Sequence, residues 1–339
     1  MKRTILLASL AVAAAVSTGP VRADAAFLGR PDVQRYIDEQ VASGRFNRPE
    51  LEAVFANVET KPKVLEILDR PSTALPWYRF RPNFYNERLL NDGVAFWQHN
   101  EAALTRAEAR YGVPAEVIVA ILGVETHYGR NTGSFRVVDV LATIGFDYPR
   151  RAAYFRDELT QFLLLAKEEG KNPLLLKGSY AGAMGWPQFM PSSFRKWAVD
   201  FDGKGHRDIW SDPDDAIGSV ANYFHEQGWI RGDDILLPAE VAPGAAVDAM
   251  LADKFTLRYT LDELAQRGVR TQSPANGRVR AVLVPLQTAP DVTEYWLGLN
   301  NYYAITRYNK STLYAKVVSD ISRELKSRYL AARYGDSAP

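Results

Sequence analysis

A carboxyl group at position 125 and a glycine-rich run at 178–193 are the two places where the residue types of this chain fit chemistry best. Tyr111-Gly112-Val113-Pro114 closes one helix and opens another, since proline is accepted in a first turn where its missing N–H has no partner to lose. The new helix is predicted to run to about Tyr128. Counting back three, four and seven positions from Glu125 gives Leu122, Ile121 and Ile118, so the carboxyl lies on the apolar stripe of that helix. Among aliphatic side chains a carboxyl loses hydration, its charged form is disfavoured, and its pKa rises toward working pH. Such a group suits the protonation of a leaving glycosidic oxygen. The plainer alternatives are a core-edge Glu paired with a cation such as Arg130, because ion pairs perturb carboxylates too, or one simply exposed because the helix is rotated. His127 falls on another helix face and is expected to be packed or hydrogen-bonded, not a base.

The run from Gly178 to Ser193 packs three glycines and two prolines into 16 residues, which is not how a core element reads. Glycine lets backbone approach a ligand closely and proline stiffens the path. Ser, Gln and aromatic residues supply the hydrogen bonds and stacking faces that sugars need. It lacks the Gly-Lys-Ser/Thr ending of a phosphate loop. Ser192 or Ser193 is expected to cap the helix that follows.

A third segment imitates an EF-hand. Asp200, Asp202 and Asp208 stand at loop positions 1, 3 and 9, Gly205 at the turn position 6, and the carbonyl of His206 at position 7. Position 5 is Lys204 instead of an oxygen donor and position 12 is Ser211, with Asp214 and Asp215 just beyond. The candidate metal ligands are therefore Asp200, Asp202, His206 and Asp215. An ammonium group in place of an anionic ligand argues against calcium on charge count. Lys204 would instead fill the ion's place by pairing with Asp200 and Asp202, leaving a metal-free turn.

The elements that must position these groups read as follows. Apolar residues recur at three- and four-residue spacing over Pro31–Ser43, Asn86–Tyr111 and Arg150–Glu169, with Pro71, Pro76 and Pro82 marking an extended connection. A helix over Ala216–Gln227 follows the acidic loop. Asp234–Leu237 and Arg278–Leu286 are β-branched and alternating between turn residues, and Glu294–Leu299 and Tyr302–Tyr308 read as strands. A final helix covers Ser311–Tyr329, capped by Asn309 or Ser311.

Lys2, Arg3, the apolar stretch Ile5–Val16 and Ala23-Asp24-Ala25 have the form of an export signal cut after Ala25. No other stretch approaches the ~20 apolar residues of a spanning helix, so no membrane anchor is expected. The chain has no cysteine, which excludes a lipidated Cys, disulfides, a thiolate zinc site and a Cys nucleophile together. Of 41 basic and 40 acidic residues, the leader removes Lys2, Arg3, Arg22 and Asp24, leaving a net charge of −1. Nucleic acid is thus not an expected partner.

Three segments, in order, carry a resemblance. Ile121–Gly129, Gly178–Ser193 and Asn300–Ser311 resemble motifs of the lytic murein transglycosylase B family, within a likeness running from roughly Tyr78 to Tyr329. One departure is Trp186-Pro187, where Tyr-Gly or a similar pair is expected. The resemblance implies a mainly α (α+β) fold: an export signal at 1–25, a helical segment at 26–75, a lysozyme-like catalytic core at 76–230 holding the 200–215 loop, a small β-containing subdomain at 231–292, and a return to the core at 293–339. It implies Glu125 as the sole catalytic carboxylate. Ser179, Gln188, Tyr308 and Asn309 would share its site, with Tyr223 and Tyr314 as further candidates for sugar stacking, and a calcium loop at 200–215. The implied activity is cleavage of the MurNAc-GlcNAc β-1,4 bond of peptidoglycan without water, leaving 1,6-anhydro-MurNAc ends. It needs no cofactor, has peptidoglycan strands as partner, and belongs in the periplasm. A lysozyme-type hydrolase drawing a second acid from Asp200–Asp215, and an inert glycan-binding protein, are the rivals.

Overall fold

The computed structural model describes residues 25–69 and 75–335. The export signal lies outside the described residues except for Ala25, and so does Pro71. The chain divides into two compact units, one up to Glu59 and one from Thr60 onward.

In the first unit, α1 (Ala25–Leu28), α2 (Pro31–Ala42) and α3 (Arg48–Phe55) follow one another. Asn47 caps α3 by accepting from the Glu50 amide, and Pro49 fits the first turn. The Phe55 ring is fully buried, 6.2 Å from that of Phe27 and 5.8 Å from that of Tyr36.

The second unit opens with α4 (Pro62–Asp69), α5 (Trp77–Phe80) and a single 3₁₀ turn, Arg81–Asn83. Next come α6 (Glu87–His99), α7 (Glu101–Tyr111) and α8 (Ala115–Thr126). The stretch expected to be helical from Asn86 to Tyr111 is broken at Asn100, whose side-chain amide donates to the Phe96 carbonyl at 2.8 Å. Asparagine competes for backbone partners in this way and so ends helices. The helix α8 is apolar on every side, with Val117 through Gly123 all buried against α6, α7 and the later helices Pro213–Glu226 and Thr312–Tyr334.

The chain continues through β1 (Phe135–Arg136), α9 (Val137–Asp147), α10 (Ala152–Glu168), β2 (Lys177–Gly178), α11 (Pro191–Trp197) and α12 (Pro213–Glu226). Asp212 caps α12 through the Asp214 amide. No serine caps α11. Met190 occupies its cap position, and the Ser192 amide and hydroxyl instead bind the buried Glu158 carboxylate at 2.9 and 2.6 Å.

A five-stranded antiparallel sheet follows, in the order β4-β6-β7-β3-β5. It is built from β3 (Leu236–Val241), β4 (Tyr259–Thr260), β5 (Val269–Arg270), β6 (Arg280–Ala289) and β7 (Val292–Gly298), with short helices α13 (Asp248–Leu251) and α14 (Leu261–Gln266) between strands. Pro238 and Pro285 sit inside long strands, yet each faces a flank that the short neighbours β5 and β4 do not reach. Leu237, Leu264, Val269, Leu283 and Leu297 give the sheet its own core.

Two helices return the chain to α8: α15 (Asn300–Tyr308) and α16 (Thr312–Tyr334). The strand expected over Tyr302–Tyr308 is therefore α15. Its aromatic and β-branched residues favour a strand, but Asn301, Tyr302 and Ile305 are buried one helical turn apart. The Asn301 carboxamide takes the Ile230 amide and gives to the Ile230 and Asp233 carbonyls. Packing overrides propensity here. Of the two caps considered for α16, Ser311 is the one used, accepting from the Tyr314 amide.

The Tyr128 ring fills the gap between α6 and α8, and its hydroxyl donates to the Leu89 carbonyl at 3.0 Å. A Cβ on Gly93 would lie 2.3 Å from that hydroxyl oxygen and one on Gly123 2.6 Å from it. Gly123→Ala should therefore destabilise the protein by about 1–3 kcal/mol, although alanine is the better helix former. A denaturant midpoint equal to or above the parent's would refute this reading of the contact.

Candidate active site

Glu125 lies in the last turn of α8, half-buried on a helix surrounded by apolar side chains. Burial pushes its pKa up to about 7, against which the Tyr314 hydroxyl, donating to Oε1 at 2.6 Å, pulls down. The negative end of the helix dipole disfavours the carboxylate further. The structural alternative fails on geometry: Arg130 pairs with Asp92, not with Glu125.

Several bonds fix the end of α8. The helix stops at Thr126, two residues short of the expected Tyr128. His127 and Tyr128 turn into the left-handed region at φ 52 and 58, which non-glycine residues enter only under constraint. The His127 amide reaches the Gly123 carbonyl at 2.9 Å and the Tyr128 amide the Leu122 carbonyl at 3.1 Å. Asp92 holds the His127 ring at 2.7 Å and Arg130 beside it, so this histidine is hydrogen-bonded as expected. The Thr126 hydroxyl donates to the Trp186 carbonyl at 2.9 Å and accepts from the Gly129 amide at 3.0 Å. Asp92 carries no signal in the sequence, since its partners His127 and Arg130 lie on another part of the chain.

The glycine-rich run is tied to the same place. The strand β2 pairs with β1, and a Cβ on Gly133 (φ 96) would stand 2.1 Å from the Gly178 carbonyl oxygen, a clearance only glycine permits. The Ser179 Oγ accepts from the Ala181 and Ala183 amides at 3.3 and 3.0 Å. Gln188, at φ 51, spends its amide nitrogen on the carbonyls of Thr132 and Gly185. Trp186 lies over Gly129 and donates its indole N–H to the Trp210 carbonyl at 2.9 Å.

The C-terminal helices close the site. The Tyr308 hydroxyl donates to the Pro187 carbonyl, and its ring stands 4.8 Å from Tyr223 and 5.9 Å from Phe189. Asn309 is exposed at the end of α15. Tyr223 and Tyr314 are 5 % and 4 % exposed, so protein covers the faces that sequence reading offered to a sugar. Tyr314 acts on the Glu125 proton instead, and Tyr223 buttresses Tyr308.

In the acidic loop, carboxylates of Asp200, Asp202 and Asp215 converge within 4.8 Å, while His206 stands outside that group. Their oxygens are already used. Asp200 accepts from the amides of Gly203, Lys204 and Gly205, and Asp215 from those of Phe201, Asp202 and Asp208. The Lys204 ammonium lies 2.5 Å from Asp202 and 2.8 Å from Asp212. The expected pairing with Asp202 is present, and its second partner is Asp212 instead of Asp200. A cation at this place would have to displace the Lys204 ammonium, which reaches Asp202 and Asp212 on a side chain that is itself exposed.

Residues 29–323 match the family described as Transglycosylase SLT domain. Over 303 residues the chain is 44% identical to the membrane-bound lytic murein transglycosylase B of Escherichia coli (strain K12), covering 86% of this chain and 82% of that one. The soluble lytic transglycosylase SltB1 from Pseudomonas aeruginosa is 45% identical with a TM-score of 0.83, over 88% of this chain and 99% of that one. The Escherichia coli lytic transglycosylase Slt35, solved in complex with calcium, is 43% identical with a TM-score of 0.82, over 89% and 95%.

Two outcomes follow from the charges. Folding raises the Glu125 pKa from 4.5 to about 7, so the folded protein keeps a proton that the unfolded chain loses in that window. Stability from this group is full in acid and falls as pH rises through about 7, by roughly 3 kcal/mol at most. The melting temperature of Glu125→Gln relative to the parent should thus climb between about pH 4.5 and 7. A flat difference across that range would show an unperturbed carboxyl. Exchange of calcium for a chelator should move the parent's melting temperature by no more than about 1 °C, and a calcium-dependent rise of several degrees would overturn the Lys204 reading.

Proposed function

We infer, for a chain that belongs to the transglycosylase SLT domain family and is a peptidoglycan lytic transglycosylase, that Glu125 alone serves both halves of the reaction on a lysozyme-like helical core. The observation that carries this is the solitude of the carboxyl. Among the described residues its carboxyl takes one side-chain hydrogen bond, from Tyr314, and forms no ion pair, while burial raises its pKa. A hydrolase of the usual kind needs two carboxylates across the scissile bond. The acids of the Asp200–Asp215 region that could supply the second are engaged elsewhere: Asp200 and Asp215 with backbone amides, Asp202 and Asp212 with Lys204, Asp208 with Ser211, and Asp214 with Arg106.

Protonated at neutral pH, Glu125 gives its proton to the glycosidic oxygen as the bond from the muramoyl C1 breaks. The resulting carboxylate, still held by Tyr314, takes the proton of the sugar's own 6-hydroxyl while O6 attacks C1. The 1,6-anhydro end forms, no water is consumed, and Glu125 finishes protonated. A pKa near 7 suits a group that must donate and then accept.

The polar residues around it have matching capacities. The Ser179 Oγ accepts two amide bonds and keeps its own proton to donate. The amide nitrogen of Gln188 is spent on carbonyls, so its Oε1 remains as an acceptor. The exposed amide of Asn309 supplies both kinds of bond. Oriented dipoles of this sort hold the sugar and offset positive charge developing at C1. The acidic loop is read as a metal-free turn closed by Lys204, and no step runs through an ion. Among the described residues no helix is long and apolar enough to cross a membrane, and the substrate lies outside the cytoplasm, which supports a periplasmic location.

Glu125→Gln should keep its fold while losing at least 10²–10⁴-fold in wall-lytic rate. Mass spectrometry of glycan ends released by the parent should show the anhydro sugar. Activity of the variant within a few-fold of the parent would refute the assignment of Glu125, and ends about 18 mass units heavier would refute the single-carboxylate route.

A further inference from the structure

A cavity of about 300 Å³ lies between the first turn of α8 and the middle of α16, with Glu116, Trp229, Asp234, Ser319, Arg323 and Lys326 among its walls. Neither Glu125 nor Tyr314 lines it. Glu116 precedes Glu125 by nine residues on α8, about 14 Å along the helix axis, so this is not the site of cleavage.

The buried part of the cavity carries unpaired donors. Trp229 is 9 % exposed and its indole N–H has no hydrogen-bond partner. Ser319 is 4 % exposed, and its hydroxyl makes no hydrogen bond among the described residues. A buried donor of this kind has lost its hydration without replacement, so a ligand that brings an acceptor to it gains the bond at little further cost. The exposed part has the opposite need. The carboxylates of Asp233 and Asp234 make no hydrogen bond or ion pair among the described residues. Both cations in the wall are engaged, Lys326 with Glu116 at 2.9 Å and Arg323 with Asp320 at 2.8 Å.

These demands select a class of ligand. A simple ammonium compound would leave the indole N–H unpaired, and an anion would meet two free carboxylates. Sugar hydroxyl and acetamido groups both donate and accept, so a neutral pyranose can turn acceptors inward to Trp229 and Ser319 and hydroxyls outward to Asp233 and Asp234. The volume stands at the lower limit of ligand pockets and admits one ring, so the rest of any chain stays outside.

We propose that this cavity holds the terminal N-acetylated sugar of a glycan strand and gives the enzyme a second grip on the wall, apart from the cleft. The site is independent of the role of Glu125. The shared chemistry is one neutral pyranose, and its second source is a free sugar.

In ¹⁵N NMR spectra of the full chain, the assigned Trp229 indole signal is followed while N-acetylglucosamine, its disaccharide diacetylchitobiose, or glycine is added. Both sugars should move the signal saturably with Kd of about 1–10 mM. Asp234→Asn, a change at an exposed position, should raise Kd about fivefold or more, while Glu125→Gln should leave it unchanged. The same Asp234→Asn variant should release glycan ends from insoluble wall at least about threefold more slowly than the parent, with its rate on short soluble strands unaltered. A signal that neither sugar moves, or a movement that Asp234→Asn leaves intact, would overturn the site. Movement by N-acetylglucosamine but not by the disaccharide would overturn the strand-end assignment in favour of a free sugar, and movement by glycine alone would overturn the sugar in favour of a zwitterion. An equal loss of rate on wall and on soluble strands would overturn the grip. If the parent released no glycan ends from either substrate, the reading of Glu125 would fail instead, and the indole titration would still decide the site.

Discussion

The hydrogen bond from Tyr314 to Glu125 joins two helices across 189 residues of sequence and meets a carboxyl set among apolar side chains. Burial alone would lift the pKa further. A single hydroxyl partner stabilises the ionised form enough to hold the balance near neutrality. The position of α16 is therefore chemical as well as structural, since a shift of that helix would change the acidity of a residue on α8.

Much of the surrounding structure keeps α8 ending where it does. Its last turn is closed by two left-handed residues, a conformation that neither His127 nor Tyr128 would choose in isolation. The Asp92 carboxylate takes the His127 ring, the Thr126 hydroxyl the Gly129 amide and the Leu89 carbonyl the Tyr128 hydroxyl, and together they hold the strained shape. Glycines 93, 123 and 129 provide the clearance for the aromatic rings packed around it. Stiffness at this point suits the role proposed for Glu125, since a general acid displaced by an ångström loses its line to the leaving oxygen.

The acidic loop answers a different problem by similar means. Four aspartates gathered into a short turn would repel one another. Backbone amides neutralise two of them and the Lys204 ammonium bridges the other two. A tethered ammonium needs no supply from solution, so the turn is closed by the chain's own charge.

What the sequence determined by itself was the chemistry of single residues and the elements with a strong local pattern. The position of Glu125 among Ile118, Ile121 and Leu122 foretold a dehydrated carboxyl, because helical periodicity fixes which side chains share a face. The position of Lys204 inside the acidic turn foretold an ion pair, because a loop this short leaves the ammonium few other partners. Tertiary structure decided everything that depends on a second element. Tyr302 through Tyr308 read as a strand until the pocket for Asn301 and Tyr302 wound them into α15. Ser192 read as a cap until Glu158 of α10 claimed its amide and hydroxyl. Tyr314 read as a platform for sugar, and only the docking of α16 turned its hydroxyl onto Glu125. In each case a local preference worth a few tenths to about 1 kcal/mol met long-range packing and a buried hydrogen bond, which together outweigh it.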